Sequence, residues 1–380
     1  MPSTHTPRRA RSRAIVAALA VVSAVGCSSS SGAEAPADGG GGTSSGGPSD
    51  SMADTVSPVV DGGGGGGDDA GDASSPVDAA GGGCGTFAGV DAGADAAAPP
   101  ILHTLVPQVT DPAITATWNA PHYAYVDPHA TQRCKLVLFL VGLGGHPADA
   151  QTYLSHVARQ GFHVLGLTYA NTISPAPTCQ NDPDVDCHLK LRQEELDGTD
   201  VSPLLVVSRA DSIENRIVKA LAALAAAYPT EGWSAYSDSA TAPRWSQIIV
   251  TGHSHGSSTA GVVGKLRSVA RVVMLAGPYD FRAVSPTATT GTPASWLAKP
   301  SLTNASNFYG FVHLADTQAP QDQTNWDAAG LPMVGTRVSV DGASAPYSGA
   351  HQLTTNLAGG GHGTVLTNAA YAPVWDYLLE

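Results

Sequence analysis

From Ser28 to Gln132 the chain contains no lysine and no arginine. Binding to nucleic acid draws most of its affinity from Lys and Arg set against phosphates. With 19 basic against 32 acidic residues overall, no nucleic-acid partner is expected. Large apolar side chains are also almost missing up to Pro99, where Gly, Ala, Ser, Asp and Pro fill the sequence. Such a tract cannot bury enough surface to offset its ordering entropy, so residues 28–99 are expected to be a disordered tether. Its glycine runs are low in complexity and carry no structural period. A flexible chain of about 70 residues has an r.m.s. span of roughly 45–50 Å, which is long enough to hold a folded domain well clear of an anchoring surface.

Long apolar runs are lacking at the N-terminus as well. After Arg8, Arg9, Arg11 and Arg13 comes an uncharged run, Ala14 to Gly26, of 13 residues. A membrane span needs about 20, so residues 1–27 read as an export signal and not as a permanent transmembrane helix. Removing it leaves 15 basic against 32 acidic residues, a net charge of −17. The small residues Ala24, Val25 and Gly26 before Cys27 resemble the lipobox of bacterial lipoproteins. That resemblance implies that the Cys27 thiol takes a diacylglyceryl group and becomes the new N-terminus. The expected product is a lipid-anchored cell-envelope protein, at the outer membrane or cell surface.

Cysteine is scarce, five in all. The four beyond Cys27, at 84, 134, 179 and 187, are an even number in an exported chain, which favours disulfides over metal ligation. Cys179 and Cys187 bracket a short acidic loop, and local pairing is the simplest arrangement, leaving Cys84 with Cys134. Three pairings remain open. Asp182, Asp184 and Asp186 in that loop lack the Gly and distal Glu of an EF-hand and read as a solvated acidic loop.

Residues 100–380 are enough for one α/β domain with a substantial core. Lys135 to Val141 is a continuous apolar run, as expected of a strand buried on both faces. Tyr153, Leu154, Val157 and Ala158 recur at helical spacing up to Gly161, and "FHVLGLTYA" begins another apolar run. A second helix from Asp211 ends at Pro229, and a strand over 247–251 leads into "GHSHG". Further strands are expected near 270–277, 308–316 and 336–342, with a final helix at "YAPVWDYLL". Strands alternating with helices imply a mainly parallel central sheet with helices on both faces. "ITATW" and "HYAYV" are expected as antiparallel edge strands. The stretches 171–209 and 281–307 fit neither period and are candidates for a lid or substrate-binding cap.

Gly252-His253-Ser254-His255-Gly256 matches G-x-S-x-G. Gly42-Thr43-Ser44-Ser45-Gly46 matches too, but only Ser254 has a buried strand before it and a helix after it. Two glycines permit the sharp turn that lifts a serine Oγ above the sheet edge. Together with the strand "LVLFLVGLGG" and a downstream acid followed by a histidine, this region resembles the α/β-hydrolase superfamily, specifically its esterase, lipase and cutinase-like members, over about residues 130–380.

The resemblance implies an α/β-hydrolase fold and a serine hydrolase in which Ser254 is the nucleophile. It places oxyanion donors on the backbone N–H of His255 and on that of Leu143 or Gly144. Asp316 is the expected acid, with Asp280 its rival, while Asp341 reads as a turn former. His362 is the expected base and His351 the alternative. His253, His255 and His146 suggest no shared metal, since an H-x-H pair points its side chains apart. His253 is expected under the elbow, with His255 and His146 at the pocket mouth. No cofactor is required. The expected reaction is hydrolysis of a carboxylic ester, small or polymeric, by a monomer. Alternatives are a serine peptidase or acyltransferase on the same fold, or a non-catalytic surface binding protein.

Overall fold

The computed structural model describes Cys84, Gly85, Phe87 and residues 98–380 apart from Pro286. The expected signal, the Cys27 lipidation site and most of the tether lie outside the described residues.

Nine strands form the main sheet: β1 (Ile101–Leu105), β2 (His122–Val126), β3 (Leu136–Leu140), β4 (His163–Leu167), β5 (Ile248–His253), β6 (Arg271–Leu275), β7 (Phe308–His313), β8 (Arg337–Ser339) and β9 (Gln352–Thr355). Their order across the sheet is β1-β2-β4-β3-β5-β6-β7-β9-β8. The β1–β2 and β2–β4 pairs are antiparallel and every other pair is parallel. The strands β3, β4 and β7 are buried along their whole length, in keeping with their mainly apolar sequences.

Seven helices matter to the site: α1 (Gln151–Arg159), α2 (Pro175–Cys179), α3 (Cys187–Asp197), α4 (Ile213–Ala227), α5 (His255–Leu266), α6 (Ala319–Ala328) and α7 (Ala372–Leu379). Helices α1 and α7 pack together on one face of the sheet, while α3, α4 and α5 pack together on the other. α1 buries Tyr153, Leu154, Val157 and Ala158 and stops where Gly161 takes φ +85°.

One expectation needs correction, and one strand was not anticipated. "ITATW" is not a strand: Ala116–Trp118 forms a 3-10 turn, and the edge strand is β1, from Ile101. Gln352–Thr355, mostly polar, is a fully buried parallel strand. Its Thr355 hydroxyl bonds Asp341 and its Gln352 amide bonds the Gly335 carbonyl, so polar residues are tolerated there.

Cys179 and Cys187 are bonded with Cα atoms 5.7 Å apart, and Cys84 and Cys134 at 5.1 Å. The second bond carries the domain's contacts back into the stretch expected to be tether: Cys84 is buried, and Phe87 packs against the core. In the acidic loop, Asp184 pairs with Lys190 and Asp186 with Lys299. Among the described residues, no group of three His, Cys, Asp or Glu side chains is placed to hold a metal, and no helix is long and apolar enough to cross a membrane.

Candidate active site

Parallel register aligns the strand ends that carry the candidate residues. Leu140 lies opposite Gly252, His253 opposite Leu275, and His313 opposite Thr355. The loops after β3, β5, β6, β7 and β9 therefore share the carboxyl edge of the sheet.

Between β5 and α5, Ser254 adopts φ 55° and ψ −118°. A positive φ in a residue bearing a Cβ is strained and persists only where surroundings enforce it. Here the Ser254 N–H donates to the Leu275 carbonyl at 3.0 Å. Its carbonyl accepts the Ser257 hydroxyl at 2.6 Å. The flanking glycines make the turn possible: a Cβ on Gly252 would lie 2.0 Å from the Gly256 carbonyl oxygen, and one on Gly256 2.0 Å from that of Leu140. Ser254 is half-buried, at the amino end of α5, where the helix dipole favours developing negative charge.

Ser254 and His362 line one cavity of about 280 Å3, which His146 and His253 also border. His362 Nδ1 lies 2.5 Å from Asp316 Oδ2. Occupying Nδ1 in this way leaves Nε2 as the nitrogen free to accept a proton. Asp316 is 5% exposed, and its second oxygen accepts the Gln318 N–H at 2.9 Å. Burial alone would raise its pKa, but the hydrogen bonds from His362 and Gln318 outweigh that, and the carboxyl is held below its usual range. No hydrogen bond joins the Ser254 hydroxyl to His362; such bonds are commonly long before substrate binds. His253 donates to or accepts from no acid: its Nε2 bonds the His362 carbonyl at 3.0 Å, and the two rings stand 4.8 Å apart. Burial, reinforced by His362, pushes His253 down to about 4, so it is neutral at pH 7 and steadies the loop that carries His362.

The rivals are committed elsewhere. Asp280 accepts from Arg192 Nη2 at 2.8 Å, Arg192 Nε at 3.2 Å and Trp296 Nε1 at 3.0 Å. Burial works to raise its pKa, but the Arg192 guanidinium prevails and holds it at about 2. Both oxygens of Asp280 are therefore engaged by Arg192 and Trp296, and its hydrogen bonds include none to a histidine. His351 sits just before β9, at the amino end of a parallel strand and so at the edge remote from Ser254. Its Nδ1 bonds the Phe308 carbonyl at 3.0 Å and its ring stacks on Tyr309.

The N–H groups expected as oxyanion donors also separate. Gly144 donates its N–H to the Asn171 carbonyl at 2.9 Å, so it is spent. The N–H groups of Leu143 and His255 have no acceptor among the described residues. Asn171 holds this loop in place, its amide donating to the Gly142 carbonyl at 2.7 Å and the Gly145 carbonyl at 3.1 Å.

His255 departs from expectation in its ring, which faces a buried ion network. Its Nε2 lies 2.6 Å from Arg192 Nη1 and 3.0 Å from Glu195. Burial and the Arg192 charge lower its pKa, against the opposing pull of Glu195. His146, by contrast, is exposed at the cavity rim.

Sequence reading missed Asn171, Arg192 and Gln318. Arg192 and Asn171 lie in the aperiodic stretch 171–209, and Gln318 lies two residues beyond Asp316. The first two had no local signal; proximity to the acid was the only pointer to the third.

No protein-family model matches the sequence, and no curated protein matches it. Solved structures do resemble it. An S-formylglutathione hydrolase from Staphylococcus aureus has 11% identity and TM-score 0.40, over 74% of this chain and 98% of that one. A bacterial heroin esterase has 14% identity and TM-score 0.38, over 77% and 85%. A feruloyl esterase module from Clostridium thermocellum has 11% identity and TM-score 0.37, over 73% and 87%. The strand order, the parallel core and the strained serine between β5 and α5 decide the fold. It is the α/β-hydrolase fold. Within that fold the serine, the His362–Asp316 pair and the two unpaired N–H groups all lie on the carboxyl edge, where loops of such sheets build their sites.

Proposed function

We propose that the protein is a serine hydrolase acting on carboxylic esters, exported and lipid-anchored at Cys27. The observation that carries this reading is the strained Ser254 sharing a cavity with His362, whose other nitrogen is held by Asp316. In the first step His362 Nε2 takes the Ser254 hydroxyl proton as Oγ bonds the ester carbonyl carbon. The Leu143 and His255 N–H groups receive the developing oxyanion, each worth about 3–4 kcal/mol in comparable sites. Collapse breaks the bond to the alcohol oxygen, which takes the proton from His362 and leaves. Water then adds to the acyl-enzyme, His362 accepting its proton, and the acid departs as the proton returns to Ser254. Asp316 orients the imidazole and balances its charge throughout. Every step uses side chains and backbone of this chain.

Turnover of 4-nitrophenyl esters tests the assignment. His362→Ala is expected to lower kcat by about 10³-fold or more, whereas His351→Ala retains most of it. Loss in the His351 variant alone, with both proteins folded, contradicts the reading. Peptide amides in the same assay, and alcohols offered as acyl acceptors, distinguish a peptidase or an acyltransferase.

A further inference from the structure

Behind the elbow, five side chains form one bonded group: Arg192 and Glu195 from α3, His255 and Thr259 from α5, and Asp280 from the loop after β6, each at most 6% exposed. The Arg192 guanidinium is its hub. Its Nε and Nη2 clasp the Asp280 carboxylate, which Trp296 Nε1 also holds. The remaining nitrogen, Nη1, lies 2.6 Å from His255 Nε2, 2.9 Å from Thr259 Oγ1 and 3.4 Å from Glu195 Oε2. Glu195 Oε1 stands 3.0 Å from the same His255 nitrogen. With an Arg donor and a Glu acceptor both in reach, that nitrogen is partnered whether or not it carries a proton. Tyr169, fully buried, stands beside the ring, the two centroids 6.2 Å apart, and its hydroxyl donates to the Val141 carbonyl at 2.9 Å.

We infer that Arg192 is a positioning residue of the oxyanion site, holding the His255 ring and, through it, the His255 N–H that meets the developing charge. The inference rests on the hydrolase reading and adds to it a residue that acts through another. His255 is the first residue of α5, directly after the strained Ser254. An N–H at that position has no partner within the helix, and helix ends are held least firmly. The side chain is the handle by which the rest of the molecule fixes this one. The demand on it is strict: an oxyanion donor must lie about 2.7–3.1 Å from the tetrahedral oxygen, and a displacement of about 1 Å can cost 10²-fold in rate. Tyr169 serves the second donor, since its hydroxyl holds the carbonyl of Val141, two residues before Leu143, while its ring stands near that of His255. Packed side chains thereby help to set the spacing between the two N–H groups. Stability gives no separate reason for the network, because well-packed apolar residues of similar volume often match or exceed buried ion pairs. A planar guanidinium that bonds in two directions at once fixes geometry instead.

The test pairs turnover of a 4-nitrophenyl ester with inhibition by a trifluoromethyl ketone. Ser254 Oγ adds to the ketone carbon, its proton passes to His362, and the ketone oxygen becomes an oxyanion like that of the transition state. His255→Leu keeps the backbone N–H and the Arg, Glu and Asp charges of the network but releases the elbow from Arg192. It is expected to lower kcat/KM about 10²-fold and to raise the Ki of the ketone by the same factor, with KM changed less than about threefold. His255→Gln offers an oxygen to Arg192 and an N–H to Glu195, and should exceed His255→Leu about tenfold in kcat/KM. Arg192→Lys keeps the charge beside Asp280 but loses the fork; it should raise Ki about tenfold alone and less than about threefold when added to His255→Leu. A purely structural role would lower Tm and the active fraction while leaving the Ki of the folded molecules unmoved. An unmoved Ki, a Gln variant no better than the Leu variant, or additive losses overturn the inference while leaving ester hydrolysis intact; should Arg192→Lys not fold, the two His255 variants decide. A wild type that turns over no ester and binds neither the ketone nor a fluorophosphonate removes the hydrolase reading, and this inference with it.

Discussion

At the scale of single residues, the choice between acids turns on what already holds each one. Asp280 and Asp316 both follow a parallel strand, and the local sequence treats them alike. The difference is Arg192, distant in the chain, whose guanidinium claims both oxygens of Asp280, while Asp316 keeps one oxygen for His362. A buried carboxylate stripped of such a partner costs about 3–5 kcal/mol, so Asp280 is a structural anchor under the pocket. A third acid is of another kind. Asp322, on α6, is fully buried with neither oxygen hydrogen-bonded. Burial raises its pKa well above the usual range, and the neighbouring Asp316 charge adds to that. Unfolded, it titrates near 4, so it holds its proton more tightly in the folded state. The stability tied to that proton is complete below about pH 4 and is lost as pH rises through the folded pKa. Asp322→Asn cannot titrate. Its Tm relative to wild type should therefore climb between pH 4 and pH 8, by about 2–4 °C for each kcal/mol involved. Thermal scans at the two pH values check this, and a Tm difference that does not change with pH counts against a buried, proton-bearing Asp322.

Among the elements, legibility followed apolar content. β3, β4, β5, β6 and β7 announce themselves as mainly apolar runs, aromatic in β7 and aliphatic in the others, and α1 by its spacing. β9 does not, because Gln352, Thr354 and Thr355 read as loop. Their burial depends on hydrogen bonds to residues on neighbouring strands and loops, which no window of sequence contains. Missing that strand moved His351 to the wrong end of the sheet and made it a rival base. Leu143 and Gly144 were similarly inseparable, since only the Asn171 carbonyl decides which N–H is free. The elbow itself was readable, and its glycines set a strict test. Gly256→Ala places a methyl group against the Leu140 carbonyl, where overpacking costs about 1–3 kcal/mol. A drop in Tm of several degrees is expected, together with at least a hundredfold fall in kcat/KM from displacement of Ser254. A variant of wild-type Tm and activity would show that the elbow is looser than its geometry requires.

Across the whole molecule, the Cys84–Cys134 bond and the proposed site lie at opposite edges of the sheet. Cys134, bonded to Cys84, precedes β3 at the amino edge, whereas Ser254 follows β5 at the carboxyl edge. A chain arriving through Cys84 thus joins the domain at the edge remote from the pocket. Deleting residues 28–83 together with the signal is expected to change kcat/KM for a soluble ester less than twofold; a tenfold change would mean that the N-terminal tract takes part in the site. In the full-length protein, Cys27→Ala should move the chain from the membrane fraction to the soluble exported fraction.

The central claim is that Ser254 is a nucleophile activated by His362. Labelling the purified protein with a fluorophosphonate and locating the adduct by peptide mass spectrometry tests it most directly. The account predicts one adduct, on the peptide carrying Ser254, absent in Ser254→Ala and slowed about 10³-fold or more in His362→Ala. A folded wild-type protein that takes no label, or takes it on another residue, contradicts it.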